Sequence, residues 1–194
     1  MAAPLLHLVN DMIRLTFFLV GSAALVWLSW RPLRSLRAHG FYRFFVFELL
    51  WGLILLNIPV WFREPLSARQ ISSYLLGVAS IGLAVEGFRL LLLVGKPSAA
   101  GAEETNLGFE NTTKLVTVGA YRFIRHPLYA SLLAFVWCAY LKDPFAAANI
   151  AMALAATGFL MATAAAEERE NVARFGAEYV AYMKRTRRFV PLIF

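Results

Sequence analysis

The sequence predicts an all-α integral membrane protein with about five transmembrane helices. Of its 194 residues, 60% are hydrophobic and only 16% are charged, whereas a soluble domain is about 45–50% apolar and about 25% charged. Several apolar runs approach the roughly 20 residues that a helix needs to cross the hydrocarbon core. The chain is long enough for one helical bundle and too short for a second soluble domain of ordinary size.

Four long apolar runs and one shorter run predict the membrane helices. The four long runs are Met12–Trp30, Phe41–Phe62, Ile71–Gly95 and Phe145–Ala166. The shorter run, Leu128–Leu141, can begin one residue earlier, since Pro127 suits the first position of a helix. The turn Lys142-Asp143-Pro144 joins it to the last long run, so we expect these two helices to form a hairpin.

A C-terminal amphipathic helix is expected after Ala166. Val172, Phe175, Tyr179 and Tyr182 recur there at helical spacing, with charged residues between them. One apolar face on an otherwise polar helix is typical of a helix that caps a bundle or lies in the membrane interface.

Basic residues predict the orientation, because loops on the cytoplasmic side carry an excess of Lys and Arg. The side of the first and third loops and of the tail holds Arg31, Arg34, Arg37, Arg43, Lys96, Lys114, Arg122, Arg125, Arg169, Arg174, Lys184, Arg185, Arg187 and Arg188. The opposite side holds Arg14, Arg63, Arg69 and Lys142. We therefore expect a protein of the inner (cytoplasmic) or ER-type membrane, with its N-terminus outside and its C-terminus and active site cytoplasmic.

Two classes of site are disfavoured. The net charge of +7 fits the same cytoplasmic excess, and no basic stripe with interleaved aromatic residues lies outside the apolar runs, so nucleic-acid binding is not expected. Cys138 is the single cysteine and lies in an apolar run, which excludes an intrachain disulfide and a metal site of several cysteines. No metal is expected.

The segment Gly119–Tyr129 places arginines, tyrosines and the pair His126-Pro127 where an apolar run begins. Charge at a hydrocarbon boundary is costly unless it has a partner or a task. One interpretation is a helix cap with interfacial aromatic and arginine residues. The other is a site where cations and the N–H groups of a helix N-terminus receive an anion.

The pair Glu167-Glu168 follows the last apolar run with no intervening loop. It could be a solvated helix start, where acidic residues are favourable. At the hydrocarbon edge, however, a carboxylate could bind an ammonium group strongly because screening water is scarce. The hairpin should bring this pair to the same side of the membrane as His126.

Polar residues also occur inside the apolar runs. Glu86 and Arg89 are spaced i, i+3 and are expected to pair with each other. Glu48 and Asn57 are open to a functional interpretation, the default for intramembrane polar groups, and to a structural one in which they hold helices together.

Several motifs recur in order over roughly the C-terminal 80 residues. They are Lys114-Leu115-Val116, Gly119, Tyr121, Arg125-His126-Pro127-Leu128-Tyr129, Glu167-Glu168, Phe175-Gly176, Glu178-Tyr179, Tyr182 and Arg188-Phe189-Val190-Pro191. This pattern resembles the isoprenylcysteine carboxyl methyltransferase family, which is related to the membrane phospholipid N-methyltransferases. The resemblance implies an S-adenosylmethionine-dependent membrane methyltransferase acting at the cytoplasmic face on a lipid-like or small hydrophobic substrate.

The resemblance also implies a division of the chain and a set of site residues. Residues 1–95 would supply three membrane helices, and residues 96–194 would enclose the cofactor between the connecting loop, the last two helices and the C-terminal segment. The implied cofactor-binding residues are Thr113, Lys114, Leu115 and Val116 (through backbone groups), Tyr121, His126, Pro127, Leu128, Tyr129 and Glu167 (for the α-ammonium). The candidate catalytic residues are His126, Glu168 and Arg125.

One position departs from the family. Members that methylate a prenylcysteine carboxylate have a substrate-orienting arginine four residues before the first glutamate of the pair, and here that residue is Thr163. Arg125 or Arg169 could replace its charge, but an amine acceptor, as in phospholipid methylation, or another small or lipid-like nucleophile becomes more plausible. A protonated amine needs a general base, and Glu168 and His126 are the nearest candidates.

A hypothesis of a different class is a non-catalytic membrane transporter or assembly protein. The intramembrane residues Glu48, Glu86 and Arg89 would suit it. The absence of an internal repeat, which is common in transporters, disfavours it.

Overall fold

The computed structural model describes residues 2–98 and 106–190, with side chains from residue 9 onward, and this part of the chain is helical without a named strand. The α-helices are α1 (Ala2–Leu28), α2 (His39–Asn57), α3 (Ala68–Leu90), α4 (Pro127–Tyr140), α5 (Ala147–Phe175) and α6 (Ala177–Arg185). A π-helical turn, Leu91–Gly95, extends α3. Short 3-10 turns at Gly108–Glu110 and Gly119–Arg122 interrupt the connection to α4.

The prediction of an all-α membrane protein is confirmed. Four helical segments are long and apolar enough to cross a membrane, and the apolar helix α4 is shorter. The four segments are Val9–Leu28, His39–Val60, Ala68–Gly95 and Ala147–Phe175.

Two helix pairs form the bundle: α3 packs along α4, α2 packs along α5, and α4 also contacts α5. Small residues of α5, among them Ala153, Ala156 and Ala164, are fully buried, and small side chains let membrane helices approach closely. α1 packs on α2. Beside it, Ser22 donates a hydrogen bond of 2.7 Å to Glu48.

Two intramembrane polar residues have contacts that fix helices or loops. Asn57 receives a hydrogen bond of 2.9 Å from Asn149 of α5, which supports its structural interpretation. The expected Glu86–Arg89 pair is wrong. Glu86 instead accepts a hydrogen bond of 3.0 Å from the backbone N–H of Ala120, because the turn at Gly119, with φ of +58°, brings that N–H onto α3.

The expected boundary between the last membrane helix and the amphipathic helix is also wrong. α5 continues past Ala166 to Phe175, and the chain breaks at Gly176 with φ of +56°. No glycine or proline occurs between Ala166 and Phe175, so the helix continues until a residue that tolerates positive φ. Glu167 and Glu168 therefore lie inside a continuous helix, and α6 is a separate short helix.

The segment after α6 returns to the chain just before α4. The backbone N–H of Arg125 donates to the carbonyl of Arg187 at 2.7 Å, and that of His126 donates to the carbonyl of Arg188 at 3.2 Å. Phe189 is buried in the core against α4 and α5. The last residue of the C-terminal motif, Pro191, lies outside the described residues.

Candidate functional site

The two polar clusters meet at His126, directly before α4. Its Nδ1 lies 3.6 Å from Oε2 of Glu167, and its Nε2 lies 3.4 Å from Oε1 of Glu168. His126 is buried. The imidazole is therefore held between two carboxylates of α5, at the cavity described below.

This environment favours the protonated form of His126. Burial alone would lower the pKa of the imidazole, but hydrogen bonds and charge attraction from Glu167 and Glu168 outweigh it and raise the pKa above its ordinary value. The imidazolium form donates and does not accept a proton, so the raised pKa disfavours a role for His126 as a general base.

Glu168 fastens the C-terminal segment. Its carboxylate receives hydrogen bonds from Nε of Arg125 at 2.8 Å and from Nη2 of Arg188 at 2.7 Å, and it is 3% exposed. Arg125 also donates to the backbone carbonyls of Met183 and Thr186. Through these contacts the side chains of Glu168 and Arg125 hold the segment after α6, and together they act as a structural clamp.

A narrow, partly open cavity lies beside this clamp; the space between its walls is about 620 Å³, part of it open to solvent. Eight of the predicted site residues line it: Leu115, Val116, Tyr121, Arg125, His126, Leu128, Tyr129 and Glu167. Its other lining residues are Leu91, Phe109, Glu110, Thr112, Asn171, Phe175, Tyr179 and Tyr182. None of these eight was predicted as a site residue, although Phe175, Tyr179 and Tyr182 belong to the recurring motifs.

Aromatic residues make up much of the cavity wall. Burial raises the pKa of Tyr121, Tyr179 and Tyr182 well above the ordinary value of a phenol, so all three are neutral. The Tyr182 hydroxyl donates to the backbone carbonyl of Tyr121 at 2.6 Å, which fixes α6 against the loop before α4. Neutral aromatic faces of this kind can pack against a planar ring.

Charged groups lie at one end of the same cavity. The Glu167 carboxylate accepts a hydrogen bond of 3.5 Å from Asn171, one turn along α5, and faces His126. His126 therefore holds the Glu167 carboxylate at the cavity wall. This carboxylate can accept a charge-assisted hydrogen bond from the ammonium group of an amino acid.

Four predicted site residues do not line the cavity: Thr113, Lys114, Pro127 and Glu168. The backbone N–H groups of Thr113 and Lys114 both donate to the carbonyl of Gly95, at 2.9 and 3.2 Å, so they are not available to a ligand. Gly95 allows this close approach, since a Cβ there would lie 2.7 Å from the Thr112 side chain. Pro127 is buried where α4 begins.

Sequence reasoning missed Glu110 and its partners. The Glu110 carboxylate forms an ion pair with Nη1 of Arg43 in α2 and lies 3.3 Å from Nε2 of His39. The other ring nitrogen of His39 contacts Glu170 of α5 at 2.6 Å. The presence of Arg43 inside a predicted membrane helix was the one available signal. Residues of α2 thus hold the 3-10 turn that covers the cavity.

Comparison with known proteins bears on the class of activity. No protein-family model matches the chain, and no solved structure matches it. Methanethiol S-methyltransferase 2 of Bradyrhizobium diazoefficiens is 27% identical over 150 residues, which are 75% of this chain and 55% of that protein. The chain thus spans about half the length of this relative. The similarity supports a membrane methyltransferase.

Proposed function

We propose that the protein is an S-adenosylmethionine-dependent membrane methyltransferase whose acceptor is a hydrophobic thiol. The observation that carries this proposal is the placement of Glu167 beside His126 in an aromatic-walled cavity of about 620 Å³. Both polar clusters that the sequence singled out contribute to this one cavity, and the similarity to a methyltransferase points to the same chemistry.

The cavity residues fit the chemical parts of S-adenosylmethionine. Glu167 would hold the α-ammonium, and His126, whose two ring nitrogens both face carboxylates of α5, would position the Glu167 carboxylate. The neutral rings of Tyr121, Tyr179 and Tyr182 would enclose the adenosine. The predicted backbone contacts of Leu115 and Val116 are retained, because both residues line the cavity. The predicted contacts of Thr113 and Lys114 lack this support, because their N–H groups bind the Gly95 carbonyl.

S-adenosylmethionine, when bound, would supply a sulfonium-linked methyl group to the acceptor sulfur; its own sulfur would keep the electron pair of the carbon–sulfur bond that breaks, and the acceptor's proton would go to water. The protein has to align the reactants and exclude water. Tyr129 and Leu128 line the cavity at the start of α4. Glu168 and Arg125 form an ion pair that holds the segment after α6 in place.

The surroundings of His126, Glu168 and Thr163 favour a thiol over an amine or a carboxylate. An amine acceptor needs a general base, yet the raised pKa of His126 favours its protonated form and Glu168 is bound to two arginines. Thr163, in place of a carboxylate-orienting arginine, is fully buried and donates to the Phe159 carbonyl at 2.7 Å. The similar protein is named for a thiol substrate, and the thiolate form of a thiol is a strong nucleophile.

The sidedness of the site is part of the proposal. The C-terminal segment and the loops around the cavity carry most of the basic residues, which supports a cytoplasmic active site with the N-terminus outside. Most of the cavity lining comes from residues 96–194, and Leu91 together with the contacts of Arg43 and His39 adds a contribution from residues 1–95.

Isothermal titration of the purified protein in nanodiscs with S-adenosylhomocysteine tests the cofactor assignment. Wild type should bind, and Glu167→Gln should weaken binding at least tenfold, about 1.4 kcal/mol. Glu178→Gln, at an exposed position of α6, is the matched control and should bind as wild type does. A wild-type protein without affinity would contradict the proposal and favour the non-catalytic class.

Transfer of radiolabel from the methyl donor tests the acceptor. With methanethiol present, label should enter a volatile thioether. Label entering phospholipid or protein would contradict the thiol assignment and support an amine or carboxylate acceptor.

A further inference from the structure

A second cavity adjoins the proposed cofactor cavity and lies between α2, α3, α4 and the loop before α4. It encloses about 870 Å³ and is lined by Arg43, Phe47, Ala84, Val85, Phe88, Leu107, Phe109, Glu110, Leu128, Tyr129, Ser131 and Leu132. We call it the acceptor groove. Phe109, Glu110, Leu128 and Tyr129 line both cavities, so the two spaces meet at these residues.

The walls of the acceptor groove are mainly apolar, and Arg43 brings a cation to it. Arg43 is 5% exposed. Its guanidinium contacts to Glu110 and His39 both use Nη1, and within the described residues Nε–H and the Nη2 donors have no hydrogen-bond partner. Because Arg43 is paired with Glu110, these donors lie near the junction of the two cavities.

We propose that the methyl acceptor occupies the acceptor groove, with its sulfur beside Arg43 at the junction and its apolar part along the groove towards the membrane. This inference rests on the proposed function. An always-charged guanidinium stabilises the thiolate form of a nearby thiol; the proton released from sulfur goes to water, and its electron pair remains on sulfur. The positive charge of Arg43 thereby replaces that of the substrate-orienting arginine, whose position in this chain is occupied by Thr163.

The size of the groove indicates the class of acceptor. The space between the walls of the groove is about 870 Å³, part of it open to the surroundings, and a one-carbon thiol fills little of it. The protein therefore accepts thiols with longer alkyl chains. The binding contribution of the chain grows with the apolar area that it buries.

A pair of valines on α3 provides a matched test. Val85 lines the groove, whereas Val78, seven residues earlier on nearly the same face, does not; they are 62% and 69% exposed. Val85→Trp should raise the KM for 1-hexanethiol at least tenfold, and Val78→Trp should leave it within twofold of wild type. Both variants should bind S-adenosylhomocysteine as wild type does.

A binding measurement gives a second readout. In nanodiscs saturated with S-adenosylhomocysteine, 1-hexanethiol should raise the Tm of wild type and of Val78→Trp, and should fail to raise that of Val85→Trp. Arg43→Lys keeps the positive charge beside Glu110 but removes the fork of donors. It should lower kcat/KM for 1-hexanethiol at least tenfold, and by a larger factor than it weakens the binding of S-adenosylhomocysteine.

The outcomes separate the two proposals. Normal affinity for S-adenosylhomocysteine together with a wild-type KM in Val85→Trp would show that lipid, and not the acceptor, fills the groove, and would overturn this inference alone. Equal kcat/KM in Arg43→Lys and wild type would overturn the role of Arg43. Absence of cofactor binding in wild type would overturn both the proposed function and this inference.

Discussion

Replacing Glu168 by glutamine should destabilise the protein and not simply slow its chemistry. In the structure the carboxylate forms ion pairs with Arg125 and Arg188, with side-chain exposures of 5%, 10% and 30% for Glu168, Arg125 and Arg188. The substitution keeps one acceptor oxygen but leaves two guanidinium groups without a counter-charge. The segment after α6 would lose its main attachment to α5.

The expected cost can be worked from burial. Removing one partner of a buried pair costs about 3–5 kcal/mol. The lower value applies because Arg188 is partly exposed, where ion pairs contribute only about 0–1 kcal/mol, and because the glutamine carbonyl still accepts a hydrogen bond. A loss of about 3 kcal/mol lowers Tm by about 6–12 °C, at roughly 2–4 °C per kcal/mol for a chain of this length.

The assay is thermal unfolding in nanodiscs, with cleavage of the C-terminal segment by added protease as a second readout. Glu168→Gln should melt earlier and be cleaved faster, whereas Glu178→Gln at an exposed position should stay within about 0.5 kcal/mol of wild type. An unchanged Tm with a large loss of kcat would refute the clamp and restore Glu168 as a general base.

Two further predictions concern His126 and Gly95. The pKa of His126 is raised above 6.5 in the folded protein. Its stabilising charge is therefore fully present below about pH 6.5 and is lost as the pH rises through the pKa of the folded state. The Tm of wild type should fall over this pH range and that of His126→Asn should fall less; an equal slope of Tm against pH in both proteins would contradict the assignment. Gly95→Ala should lower the free energy of unfolding by about 1–3 kcal/mol through overpacking, since its Cβ would lie 2.7 Å from Thr112. The control Gly158→Ala, which has open space around it, should not lower it. Equal denaturation midpoints for the two variants would contradict this packing.

Much of the fold was predictable because membrane helices follow from local composition. Each apolar run became a helix within about five residues of its predicted bounds, except at the start of α1, which begins ten residues before Met12, and at the end of α5. There the composition changes at Ala166 but the backbone does not, because helix geometry continues until Gly176. A polarity change therefore marked the end of the apolar part of the helix and not the end of the helix.

The candidate site was predictable only in part, for a different reason. His126 and Glu167 were paired from the hairpin, a topology that adjacent runs imply. The ion pair of Arg43 with Glu110 joins residues 67 positions apart, and the contact of His39 with Glu170 joins residues 131 positions apart. Neither spacing leaves a periodic signal in the sequence, so these contacts required the tertiary structure.

Photo-crosslinking with radiolabelled S-adenosylmethionine, followed by peptide mapping, tests most directly whether the cofactor occupies the cavity beside Glu167. Ultraviolet irradiation of the bound complex should label peptides containing Tyr121 and Tyr129 or Tyr179 and Tyr182, and excess S-adenosylhomocysteine should suppress the label. Label confined to other peptides, such as those of α1, or the same labelling in Glu167→Gln as in wild type, would contradict the site.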